Sequence, residues 1–139
     1  MARPRKDSLD YFPLDAALLS NPKMMMAVND AGPDAVAVYV AVLGAVYSKS
    51  YWLPKDSTDL QVLPARLRME VERFDAAYDA LVAWGLVSEV AAESDEEKAA
   101  CPCGTAVTSK GMQDQYFLIK PRVLSEKLPF LVVKPSESR

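Results

Sequence analysis

Apolar residues along this chain recur mostly at helical steps of three and four, and in a strand-like pattern only in short pieces. Leu9 to Asp15 opens an apolar, aromatic segment that Pro13 keeps out of a helix. Ser20-Asn21-Pro22 joins a capping side chain to an early proline, which predicts a helix through Met24, Met25, Met26 and Val28 that stops near Gly32. The methionine run sits at helical spacing and reads as core and seam, with a methionine-rich face also able to serve as an adaptable binding surface. Pro33-Asp34 opens the next helix, over 33–48, apolar nearly all round and therefore the central buried element. Val36, Val38, Val40 and Val42 alternate, so a strand is the rival reading; length, the alanines and the proline start favour the helix.

Tyr51-Trp52-Leu53 reads as a short strand closed by Pro54. Asp56 and Ser57 are caps for a helix near 57–68, in which Pro64 either makes a kink or is the true first residue. The third helix, over 70–84, is marked by Val71, Phe74, Tyr78, Leu81 and Val82 on one face, with Gly85 as its stop. Leu86 to Val90 is a strand, Ala91 to Gly104 a polar, acidic loop, and Thr105-Ala106-Val107 the returning partner strand. Ser109 caps a further helix that includes Met112 and Tyr116 and is interrupted by Pro121; residues 134–139 read as frayed. This order predicts a mainly α fold with a small β-hairpin: a winged helix-turn-helix with an extra N-terminal helix and a C-terminal helical appendage. The divisions are a basic flexible arm at 1–8, the winged-helix domain at 9–116, and the appendage and tail at 117–139. No internal repeat is visible.

Composition narrows the chemistry. Half of the 139 residues are hydrophobic, enough for a core without a metal or disulfide staple. No uncharged stretch approaches the about 18 residues of a membrane span, and no apolar signal core follows the basic N-terminus, so the expected location is the cytoplasm. Two cysteines suit a reducing compartment. There is no histidine, which removes Ser-His-Asp and Cys-His nucleophile systems, the histidine base and histidine-containing zinc sites. Carboxylate pairs such as Asp56/Asp59 and Glu70/Glu72 leave a metal-dependent hydrolase as a third-ranked reading, though capping and helix surface explain them more simply. The expectation is a protein that is not an enzyme and holds no cofactor.

Net charge is −3, distributed unevenly. Arg3, Arg5 and Lys6 make the start basic; Lys120, Arg122, Lys127, Lys134 and Arg139 outweigh Glu126 and Glu137 at the end; the body between them is strongly acidic. The third helix carries Glu70, Glu72, Asp75 and Asp79 against Arg73 alone, a poor surface for phosphates and a better one for a partner protein. Arg66, Arg68 and Arg73 would form a small cluster if the second and third helices pack as expected, and guanidinium forks suit phosphates. The arm with Arg3, Arg5 and Lys6 is a further candidate for DNA backbone or minor groove. Cys101-Pro102-Cys103-Gly104 reads as a Pro-Gly turn with two free thiols rather than a zinc site shared between two chains. Glu93 to Glu97 reads as a solvated wing tip, or a docking strip for a basic partner.

The run from Arg5 to Asp15, the onward spacing to Gly32, Tyr39, Tyr47 and Tyr51-Trp52-Leu53, Trp84-Gly85-Leu86-Val87, and Val107-Thr108-Ser109-Lys110 together resemble the DnaD-like N-terminal domains of phage replisome-organiser proteins. The resemblance covers residues 3 to 116. It implies a winged helix of phage or prophage origin that self-associates near replication initiation, with replication proteins such as a helicase loader as partners. Lys110 matches a lysine of the motif, and Gly111, Asp114 and Gln115 stand where family members tend to be basic. The leading expectation is a homo-oligomeric, DNA-associated module with weak, low-specificity contacts through Arg3, Arg5, Lys6, Arg66, Arg68, Arg73 and Lys110. The alternative is a protein-interaction scaffold without DNA binding, using Tyr11, Phe12, Glu72, Asp75 and Asp79.

Overall fold

The computed structural model describes residues 17–49, 51–110, 113 and 130. After a 3-10 turn at Leu18–Ser20, the elements are α1 (Pro22–Ala31), α2 (Asp34–Tyr47), β1 (Leu53–Pro54), α3 (Thr58–Gln61), α4 (Leu63–Arg66), α5 (Val71–Ala83), β2 (Ser88–Ala91), α6 (Asp95–Ala100) and β3 (Thr105–Thr108). The molecule is mostly helical, with one small three-stranded antiparallel sheet.

Local chemistry explains the helix limits. The Asn21 side chain accepts from the amides of Lys23 (2.8 Å) and Met24 (3.3 Å), meeting two donors that the first turn of α1 cannot satisfy itself. Gly32, at φ 79°, stops α1 in a conformation that costs other residues about 1 kcal/mol, and the chain bends by 118° into α2. Gly85, at φ 80°, does the same after α5. Of the methionine run only Met24 is core; Met25 and Met26 are 56% and 40% exposed.

α2 is a helix, not a strand, and it is the hub of the fold. Ala35, Val38, Val42 and Val46 are at most 1% exposed, and α1 and α5 pack on it and on each other. Phe74, Ala77 and Leu81 of α5 join this core, with Tyr78 packed at its margin. Each buried Val or Leu there contributes about 2 kcal/mol of hydrophobic stabilisation. Two side-chain ties flank the helices: the Arg73 guanidinium grips the Asp34 carboxylate through Nε (2.9 Å) and Nη2 (2.7 Å), and the Trp84 indole donates to Asp30 at 2.8 Å.

The structure corrects three expectations. The helix expected over 57–68 is two short helices, with Ser57 alone capping α3 and Pro64 in the first turn of α4, where a missing amide costs nothing. The expected hairpin is present as β2 and β3, but it is part of a three-stranded sheet: β3 lies between β2 and β1, with Leu53 opposite Val107 and Glu89 also opposite Val107 on the other side. The acidic loop contains α6, which carries a complete capping box: the Ser94 hydroxyl accepts from the Glu97 amide at 3.0 Å while Glu97 reaches back to the amide of Ser94. Ser94-x-x-Glu97 is the sequence signature of this cap, hidden by reading the acidic run only as solvated charge.

Candidate functional site

α5 presents the most distinctive surface among the described residues. Its apolar stripe is spent on α1 and α2, which turns Glu70, Glu72, Asp75 and Asp79 to solvent. Arg73 does not offset them, because it is engaged with Asp34, whose carboxyl the Arg73 hydrogen bonds hold below the ordinary range. The exposed face of α5 is therefore acidic in effect as well as in composition.

Beside it runs an open cleft of about 330 Å³, floored by Val42, Leu60, Phe74 and Pro64 and edged by Val71, Asp75, Lys55 and Tyr78. Val71 is 57% exposed, an apolar side chain at the lip. At the far end the Tyr78 hydroxyl donates to Glu89 at 2.7 Å and the Lys55 ammonium reaches the same carboxylate oxygen at 2.9 Å, while also lying 5.8 Å from the Tyr78 ring centre. Burial pushes the Tyr78 phenol well up, and its bond to Glu89 adds to that. Burial pushes Glu89 up too, but the hydrogen bonds from Lys55 and Tyr78 outweigh it and leave the carboxyl below its usual range. This trio is a charged clamp that fixes the wall of the cleft.

The three candidate arginines do not meet. Arg73 is bound to the first residue of α2, whereas Arg66 borders a separate hollow along Val40, Gly44 and Ser48. At 1.5 Å per residue those positions lie about 9–21 Å further along the helix. Arg68 stands exposed in the turn before α5, at φ 55°, a left-handed conformation that is uncommon for a side-chain-bearing residue. Glu72, Asp75 and Asp79 do share one helix surface. Lys110 is exposed just after β3. Arg3, Arg5, Lys6, Tyr11 and Phe12, and the helix expected to follow Ser109 apart from Lys110 and Gln113, lie outside the described residues.

Thr108 and Ser109 of the family-like motif are buried, and their neighbourhood is a latch. The Thr108 hydroxyl donates to the Tyr51 carbonyl, and the Gln113 amide donates to Thr108 Oγ1 (3.1 Å) and to the Phe130 carbonyl (2.8 Å). Phe130 itself is 1% exposed, its ring 4.3 Å from that of Trp52, and its amide donates to Glu97 at 2.9 Å. Glu97, read from sequence as a solvated tip, thus serves both the α6 cap and this distant residue. The role of Phe130 was not legible in sequence, since it stands in a short apolar run, 128–133, that does not say which distant residues it meets. The carboxylates of Asp56 and Asp59 take no part in a joint site: Asp59 faces Lys49 at 3.7 Å, and among the described residues no three acidic or thiol groups converge on a point where a metal ion would sit. No single helix among them is long and apolar enough to cross a membrane.

Fold and surface together define a small, α-rich domain with a three-stranded antiparallel sheet and an acidic helix beside an apolar cleft. The chain belongs to the Lin1244/Lin1753-like N-terminal family, whose model matches residues 11–95. It is also similar to an uncharacterised phage-related protein of Listeria innocua, Lin1244/Lin1753, with 23% identity over 117 residues. That match covers 84% of this chain and 35% of the relative, so the chain spans about a third of the length of the curated protein it matches. No solved structure matches the chain.

Proposed function

We propose that this chain is a non-enzymatic docking module of winged-helix type from a phage-related protein, and that its principal contact is with a basic protein segment received by the face of α5 bearing Glu72, Asp75 and Asp79. The succession of α2, the short strand β1, the α3–α4 pair and α5, followed by a β2–β3 hairpin whose inner strand pairs back to β1, supports the winged-helix reading. The phage-related relative supports the phage-related origin, and the motif resemblance to DnaD-like replisome organisers is what suggests a place near replication initiation. The observation that carries the functional reading is the pairing of Arg73 with Asp34, which leaves the helix a winged helix would lay in the major groove with exposed carboxylates and no uncommitted cation.

The chain's own ends supply basic segments of the required kind, Arg3-Pro4-Arg5-Lys6 and the lysines and arginines beyond residue 119. Self-association between an acidic body and basic ends follows from that complementarity. Light scattering across a salt series tests it. The expected result is a mass above that of the monomer at about 50 mM salt, falling toward the monomer by about 500 mM as screening shortens the range of the attraction. The triple variant Glu72→Lys/Asp75→Lys/Asp79→Lys stays monomeric throughout. A monomeric wild type at low salt, or a variant that assembles like the wild type, overturns the proposal.

DNA association is the second reading, and the exposure of Arg66 and Arg68 at the end of α4 favours it. With so few cations, duplex affinity measured by fluorescence anisotropy has a shallow salt dependence, a log–log slope of about −2 to −3. A slope of about −6 or steeper reverses the order of the two readings.

A further inference from the structure

The turn between α6 and β3 brings two thiols together. Cys101 Sγ and Cys103 Sγ are 3.6 Å apart, both are unoxidised, and they differ sharply in access: Cys101 is 0% exposed, in one cluster with Ala106 and Phe130, while Cys103 is on the surface. The turn holds the two sulfurs in register. The Gly104 amide donates to the Cys101 carbonyl at 2.9 Å, closing a β-turn with Pro102 at its first corner, and the Cys101 amide is anchored to the Glu97 carbonyl at 2.8 Å. Both thiols donate to one acceptor, the Thr105 carbonyl, at 3.2 and 3.3 Å, and that oxygen already accepts from the Lys55 amide at 2.9 Å. A carbonyl has two lone pairs. Two S–H donors therefore compete for one place, and losing one of them leaves no acceptor unsatisfied.

We propose that Cys101 and Cys103 are a site of reversible oxidation, in which a hydroperoxide oxidises the exposed Cys103 sulfur and the buried Cys101 sulfur then closes on it to form an intramolecular disulfide. In the first step the Cys103 thiol loses its proton to water and the thiolate attacks one oxygen of hydrogen peroxide; the O–O bond breaks, and the hydroxide that leaves takes up a proton as water, giving a sulfenic acid at Cys103. In the second the Cys101 sulfur gives up its proton and attacks Cys103; the S–S bond forms, the S–O bond breaks, and the departing hydroxide takes the proton as water. Two thiols have lost two electrons, and one peroxide has become two waters. A dithiol reductant reverses the change by two thiol–disulfide exchanges beginning at the exposed sulfur.

The division of roles rests on access, and acidity reinforces it. Hydrogen bonds that the Cys103 sulfur accepts from the backbone of Thr105, and then of Asp56, outweigh partial burial and the Asp56 carboxylate and hold the thiol below its ordinary range, which raises its thiolate fraction. Burial, and then the neighbouring Cys103, pushes Cys101 up, so it waits as a protonated thiol until a sulfenic acid forms beside it. An exposed thiol of lowered pKa next to a resolving cysteine is the arrangement peroxide-sensitive sites share.

The full chain, reduced and then treated with equimolar hydrogen peroxide, tests this by intact mass after alkylation of the remaining thiols. The expected product is a monomer lighter by about 2 Da that takes up no alkylating agent and regains both thiols with dithiothreitol. In untreated protein, peptide mapping after brief alkylation finds Cys103 modified at least about tenfold faster than Cys101, a comparison that needs no variant. Cys101→Ser accumulates a sulfenic acid at Cys103 that dimedone traps, and Cys103→Ser is oxidised at least about tenfold more slowly than the wild type. Thiols that both survive peroxide, disulfide-linked dimers as the main product, or equal alkylation of the two cysteines overturns the proposal.

Discussion

Arg73 is the sole cation between Glu70 and Trp84, and the fold commits it to Asp34. A substitution there acts on the α2–α5 junction before it acts on any ligand. Its pH signature has a definite sign. The carboxyl of Asp34 is lowered in the folded protein, so its contribution is fully present above the unfolded carboxylate value of about 3.9 and is lost as pH falls through the lower folded value. The Tm difference between the wild type and Asp34→Asn is therefore largest above about pH 4 and shrinks below it. A difference that is flat from pH 7 to pH 2 shows that the pair does not form in solution. Tyr78→Phe removes the hydroxyl that Glu89 accepts from and costs about 1 kcal/mol in a urea melt, and the Glu89 carboxyl, followed by NMR, then titrates at higher pH than in the wild type.

Among the elements, α2 and α5 carry the fold and α6 is an accessory held by its cap. Leu81 is 0% exposed in the core that these two long helices share, and Leu81→Ala is expected to cost about 3 kcal/mol, lowering Tm by about 10 °C for a chain of this size. Ser94→Ala removes the hydroxyl from the capping box and costs about 1 kcal/mol, felt locally: hydrogen exchange quickens over 95–100 while α2 and α5 keep their protection. Equal acceleration in α2 would show that α6 folds with the main core and not upon it. The long helices were legible in the chain because α2 is a long apolar run opened by Pro33-Asp34, and α5 has an apolar stripe from Val71 to Val82 stopped by Gly85. α6 was not, since a helix of six residues with no buried side chain shows only its cap and no apolar rhythm.

Across the whole molecule, helix packing is supplemented by side-chain contacts that tie distant parts of the chain at defined points. Phe130 reaches Trp52, Glu97 and Gln113, binding together regions that the sequence separates by as many as 78 positions. Phe130→Ala is expected to cost about 3 kcal/mol, shift Trp fluorescence to the red, and speed alkylation of Cys101, which lies in the same small cluster. Unchanged fluorescence together with unchanged Cys101 reactivity would place Phe130 outside the folded body. By itself the chain determined its helical class, its central apolar helix, the returning strand after Gly85 and the acidity of the third helix, because periodicity, capping and charge are written locally. Only the tertiary structure decided that Arg73 is spent on Asp34, that Arg66 lies apart from it, that β1 adds a third strand, and that Phe130 packs with Cys101. Each of those is a pairing across the chain, fixed by packing and hydrogen-bond geometry that no local pattern encodes.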